Sequence, residues 1–424
     1  MVPTLLVVLL FAMPVEEGAP IAGAGDDADL LREVGRIAGR VEILRGETFV
    51  RPPFAVRVPD ELRSAAAEIR SFAVLSRGRL AARGRAWSDV GLGRIDSPRN
   101  VLVALASDLD GIGFDPQGNQ LLVSSDRLPT GDFEPNDRED DPATVLLLTG
   151  MRRDAPLVAH LLTHVRQRER VGHDTLEATT DRLLASAAWA EGEANLVAVR
   201  YLFAGMQVTE DVMDFIKGPH EVLDGALLPP GLDGLAARER KLIDFVYEEG
   251  YERAAERHRS GGWKAIDEAM ATRRTTRDLL HPERAALPDV AFPPSPQPPR
   301  EGLVLADEDS LGEQGIVVLV SALTGKDSLG LVAGEGWAGD RLDRWEAADD
   351  TGGVTEWTTR WTTPATASDF DYAYGRALEA RFPGRVCSSV GDGVRTLIAG
   401  DRLYRIERRE TSVRVVIQTL DGPG

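Results

Sequence analysis

Apolar residues recur at helical spacing through residues 154–169, DAPLVAHLLTHVRQRE, where Leu157, Val158, Leu161, Leu162 and Val165 fall on one side. Asp154 is placed to cap this segment and Pro156 suits its first turn, so the pattern predicts a buried amphipathic helix. A second long helical pattern, AAWAEGEANLVAVRYL, covers 187–202. Further helices are expected over 27–44, 59–84, 97–109, 209–218, 235–260 and 261–284. Residues 54–59, FAVRVP, alternate as a short strand does. In GIGFDPQGNQLLVSSDRL, 111–128, two strand-like pieces flank Pro-Gln-Gly-Asn, which predicts a β-hairpin ahead of the 154–169 helix.

The pattern changes after a Pro-rich stretch, LPDVAFPPSPQPPR, at 287–300. Beyond it a helix is expected over 310–323, strands at 339–347 and 353–363, a helix at 368–382 and a closing antiparallel pair within 396–420. The fold class this order predicts is α+β. A mostly helical domain with a small β-hairpin or sheet, 25–286, is followed by a linker, 287–300. A small α+β domain with an antiparallel sheet, 301–424, completes the chain.

Composition changes this picture in three ways. The 424 residues carry a net charge of −19, which repels phosphates and excludes non-specific nucleic-acid binding. Within that acidic total, Arg77, Arg79, Arg83 and Arg85 are read as a solvated helix face. The apolar run 4–13, with Ala22-Gly23-Ala24 as a small-residue cleavage site, reads as a signal peptide over 1–24. Export to the periplasm or the extracellular space follows, and no later segment resembles a membrane span, so no stable anchor is expected after signal removal. Cys387 is the single cysteine, which rules out an intrachain disulfide and a cysteine-based zinc site. The acidic stretch 131–142 lacks the spacing of a calcium-binding EF-hand loop.

The candidate chemistry lies in HLLTH, 160–164. Residues four apart share a helix face, so His160 and His164 can address one point, as the two histidines of HExxH address zinc. Leu161 stands where that motif has its glutamate. Glu191, 27 residues after His164 on the second helix, offers a third ligand, and Asn195 shares its face one turn later. Two histidines at this spacing also occur as ordinary core or surface residues, and the spacing alone leaves both readings open. No phosphate-cradling glycine loop and no GxSxG elbow is present.

Eight short motifs extend the comparison: GFDPQ at 113–117, HLLTHVRQ at 160–167, EGEA at 191–194, FVYEEG at 245–250, GGWKAID at 261–267, TTRDLLHPER at 275–284, GWAGDR at 336–341 and EWTTRW at 356–361. In order and spacing the chain resembles a family of exported bacterial zinc metallopeptidases of the gluzincin type, over most of its length after residue 100. The resemblance implies a zincin-like first domain with zinc held by His160, His164 and Glu191, and Asn195 as the residue orienting a ligand histidine. It implies a peptide or protein partner in the cleft, aligned along the edge of the hairpin, and His281 or Tyr247 as polariser of a carbonyl. The departure is at the general base: Leu161 cannot take a proton from water. The expectation is therefore a degenerate, catalytically inactive or impaired member. An active hydrolase with an unconventional base and a metal-free structural or interaction protein are the alternatives.

Overall fold

In the computed structural model of the chain the described residues are 24–59, 74–107, 109, 111–116, 118–124, 154–171, 179–204, 232–272, 275–283, 298–347, 352–383, 387–389, 394–399 and 402–420. The signal-like segment, the acidic loop 131–142, the helix expected at 209–218 and most of the Pro-rich stretch lie outside them.

The fold is α+β. Its elements begin with α1 (Ala24–Arg45), β1 (Phe54–Val58), α2 (Arg77–Val90), α3 (Ser97–Leu105), β2 (Ile112–Asp115) and β3 (Gln120–Ser124). Next come α4 (Ala155–Val171), α5 (Thr180–Ala204), α6 (Ala237–Thr272) and α7 (Thr276–Leu280). The remainder is β4 (Leu303–Asp309), α8 (Gly312–Thr324), α9 (Asp327–Gly334), β5 (Trp337–Ala347), β6 (Gly353–Trp361), α10 (Pro364–Arg381), β7 (Cys387–Ser389), β8 (Val394–Ala399), β9 (Arg402–Arg409) and β10 (Ser412–Thr419). By packing, residues 1–69, 106–173 and 193–230 form one unit, and 70–105, 174–192 and 231–424 a second. The division falls inside α5, between Gly192 and Glu193, although that helix runs unbroken.

The first unit is built on a three-stranded sheet in the order β1-β3-β2. β1 is parallel to the central β3, from Phe54 opposite Gln120 to Val58 opposite Ser124. β2 pairs with β3 as the predicted hairpin, with Asp115 opposite Gln120. The Asp115 carboxylate closes the turn by accepting from the Gly118 amide at 3.1 Å. Asn119 takes the left-handed conformation there (φ 50°), which asparagine tolerates better than most residues. α1 buries Leu30, Val34, Ile37 and Val41, one residue per turn. α4 is buried from Ala155 through Thr163 on all sides rather than on one stripe.

In the second unit seven strands run β4-β5-β6-β10-β9-β8-β7, each antiparallel to its neighbours. α10 starts at a capping box between Thr363 and Thr366, with Pro364 in its first turn. It lays Phe370 and Tyr374 against Trp357 of β6, at ring-centroid distances of 5.4 and 5.5 Å. Three strands, β8 to β10, replace the expected closing pair. β4 was not foreseen because Leu-Val-Leu-Ala-Asp-Glu-Asp ends in acids. Two of those acids are satisfied internally: Asp307 accepts from Arg79 and Arg83 of α2, both at 2.8 Å, and Asp309 from the Trp87 indole at 3.1 Å. Arg77 and Arg79 are exposed, as expected of a solvated face, and the correction falls on Arg83. It is 1% exposed, since a buried acidic strand end needs a buried cation.

Asp340 of β5 is the buried polar hub of this unit. It accepts from Ser310 Oγ (2.8 Å), the Leu311 and Gly312 amides (2.9 and 3.0 Å) and the Trp337 and Trp357 indoles (3.2 and 2.9 Å). It thus caps the start of α8 and ties that helix to the sheet. Asp340→Ala leaves these donors without an acceptor, and several uncovered buried donors together cost on the order of 3–5 kcal/mol. Urea denaturation of the full chain measures it, and a loss below about 1 kcal/mol would contradict the assignment.

Candidate metal centre

α4 carries both histidines. His160 is 1% exposed and His164 is half-buried. Their Nε2 atoms stand 3.0 Å apart, and the rings meet edge to face with centroids 4.8 Å apart. α5 brings in Glu191. One ligand atom from each of His160, His164 and Glu191 lies within 4.8 Å of the others. A tetrahedral ion with Zn–N bonds of about 2.0–2.1 Å spaces its ligand atoms about 3.3 Å apart. The two nitrogens are already close to that spacing, and side-chain torsions of Glu191 can supply the remainder. Among the described residues this is the His/Cys/Asp/Glu group that could hold a metal ion.

Each of two ligands has a partner behind it. The Tyr247 phenol of α6 is hydrogen-bonded to Glu191. Burial, then the nearby Glu191 charge, pushes that phenol well above its usual range, so it stays protonated and can only donate to the carboxylate. The pairing depends on a close crossing of α5 and α6. A Cβ placed on Gly192 would lie 2.1 Å from the Gly250 carbonyl oxygen, and one on Gly250 2.2 Å from that of Ala188. Behind His164, Nδ1 is 2.8 Å from Gln167 Oε1. Phe114 of β2 stacks on the His164 ring at 6.1 Å, so the hairpin lies against this histidine.

Glu193 points away from Glu191, as residues about 200° apart on a helix must. It is gripped by Arg45 Nη2 at 2.6 Å, Arg170 Nη2 at 2.9 Å and Gln167 Nε2 at 3.0 Å. Burial alone would raise its pKa, but the charges of Arg45 and then Arg170, with the Gln167 hydrogen bond, bring it below the ordinary carboxylate range.

The structure thus brings together His160, His164 and Glu191 and sets Tyr247 beside Glu191. Leu161 is 4% exposed, an apolar side chain in the core. Asn195 is fully buried one turn beyond Glu191, and its amide makes no hydrogen bond among the described residues. The partner observed on His164 is Gln167 of its own helix. His281 is the C-cap of α7, and its Nε2 lies 2.7 Å from Glu313 Oε1. Gln167 follows His164 at i+3, a spacing that could have flagged it. Arg45 lies 148 residues from Glu193 and carried no such signal.

Residues 302–421 match a family model described as "Domain of unknown function (DUF8575)", a stretch that does not include the His/Glu cluster. No curated protein and no solved structure matches the chain.

The helix crossing gives a direct test. Gly250→Ala forces a methyl into the Ala188 carbonyl and costs about 3 kcal/mol by overpacking. Gly39→Ala in α1, where an added Cβ meets nothing within 4 Å, is neutral or stabilising by about 0.5–1 kcal/mol. Urea melts of the two variants compare them, and equal stabilities would contradict the crossing.

Proposed function

We propose that this chain is an exported, zinc-binding, metallopeptidase-like protein that has lost peptide hydrolysis and uses the substrate position for binding. The observation that carries the reading is the convergence of two imidazoles and a carboxylate around one point with Leu161 in place of a base. A His2Glu set is one that catalytic zinc sites employ, with a further position left for water or substrate. Zinc bound there would supply Lewis acidity and a more acidic water. What the chain does not supply is the proton acceptor. Leu161 is apolar, and Tyr247 is held protonated by burial and by Glu191.

Loss of general acid–base catalysis typically removes about a hundred- to ten-thousand-fold in rate. Support for a peptide or protein ligand comes from β2. It is an edge strand in the order β1-β3-β2, and its Phe114 rests on His164. An extended segment can pair with such an edge. The apolar run 4–13 supports export, and no helix among the described residues is long and apolar enough to cross a membrane.

Metal analysis and peptide hydrolysis test the reading together. The purified chain takes up one zinc per molecule, His160→Ala abolishes the uptake, and neither cleaves a peptide library. Leu161→Glu, which restores a carboxylate at the base position, raises cleavage above background. Chelator-sensitive proteolysis by the native chain, lost in His160→Ala, would overturn the inactive assignment, and failure to bind zinc would overturn the metal.

A further inference from the structure

We propose that Gln167 and Glu193 act as positioning residues that lock His164 as its Nδ1–H tautomer, leaving Nε2 unprotonated on the side that faces His160. The purpose of this lock rests on the zinc reading; its geometry does not.

The network runs inward from the charges. Glu193 is 2% exposed, and its Oε1 takes both Nε and Nη2 of Arg45, at 2.8 and 2.6 Å. Its Oε2 takes Nη2 of Arg170 at 2.9 Å. Guanidinium groups stay protonated in proteins, so two of them against one carboxylate keep Glu193 an anion with no proton to give. The Gln167 amide atom 3.0 Å from Oε2 must therefore be its NH2 group. The flipped amide would set two acceptor oxygens against each other.

With its NH2 committed to Glu193, Gln167 turns its carbonyl oxygen to His164 Nδ1 at 2.8 Å. A carbonyl only accepts, so Nδ1 carries the hydrogen. In a neutral imidazole the other nitrogen is then the acceptor. That nitrogen, Nε2, stands 3.0 Å from His160 Nε2 and can only accept from it, so the hydrogen between the two rings belongs to His160. The tautomer that a metal requires of His164 is thus selected before any metal arrives. The relay passes from Arg45 on α1, through Glu193 on α5 and Gln167 on α4, to the ligand atom. α5 serves the site twice: Glu191 enters the ligand group, and Glu193, two residues on, governs a ligand on α4.

A network that merely neutralises Arg45 would look similar in its ion pairs but would leave the His164 proton unconstrained. Long-range 1H–15N spectra of the metal-free full chain, labelled with [15N]histidine at neutral pH, separate the two. The chain has six histidines, and His164→Gln identifies the signal. The native chain shows His164 as Nδ1–H. Gln167→Met, near in size and without an acceptor, moves it to a mixture or to Nε2–H. Zinc affinity of that variant falls about 10- to 100-fold, the usual effect of losing a partner behind a ligand. Adding Glu193→Gln to Gln167→Met weakens zinc no further, because Glu193 acts through Gln167. Gln167→Met leaves both arginine pairs intact, so it decides alone if Glu193→Gln does not fold. An Nε2–H tautomer in the native chain, or an unchanged His164 signal in Gln167→Met, overturns the lock. The predicted tautomer in a chain that takes up no zinc leaves the lock standing and removes the proposed function.

Discussion

A buried carboxylate between two arginines is the constraint around which the first unit is arranged. Glu193 and Arg45 are each almost wholly withdrawn from water, at 2% and 1% side-chain exposure. An isolated charge there is untenable, and removing one member of such a pair typically costs about 3–5 kcal/mol. The pair therefore requires that α1, α4 and α5 meet in one register. Arg45 sits in the last turn of α1, while Arg170 and Gln167 come from α4. Gln167, one of these, is also the partner of His164 one turn away, and Glu191 lies two residues before Glu193 on α5.

The second unit solves the same problem with the same residue types. An acidic chain still directs arginines inward where strand ends would otherwise bury bare carboxylates. Arg83 lies against Asp307, and Arg344 reaches Asp89 at 2.9 Å. Neutral donors are gathered as well. Asp340 collects two backbone amides, two indoles and a hydroxyl. Asp309, 3.5 Å from Arg83 Nε, also accepts from the Thr180 amide and hydroxyl at 2.6 and 2.7 Å. The net charge of −19 says little about these interior choices, because it sums the surface with the core.

Local order explains which features were legible in the sequence. Helical periodicity marked α4 and α5, and Asp115 to Gln120 marked the hairpin, because these signals operate within a few residues. His160, His164 and Glu191 were found by helix-face spacing together with the resemblance of neighbouring motifs to zinc peptidases. The burial of Arg83 within the arginine run is not legible locally, because its acidic partner arrives with β4, 224 residues later. The spacing from Glu191 points to Asn195, and the contact to His164 comes from Gln167 on the histidine's own helix. The role of Glu193 could not be read from its neighbours, since its main partner, Arg45, is distant in the chain. Long-range charge pairing is what one-dimensional periodicity omits.

X-ray absorption at the zinc edge, on the zinc-loaded full chain, addresses the central claim most directly. A metal held by His160, His164 and Glu191 gives a first shell of nitrogen and oxygen at about 2.0–2.1 Å with the outer-shell scattering of two imidazoles. A shell without imidazole scattering, or zinc that does not stay with the protein through desalting, would contradict it.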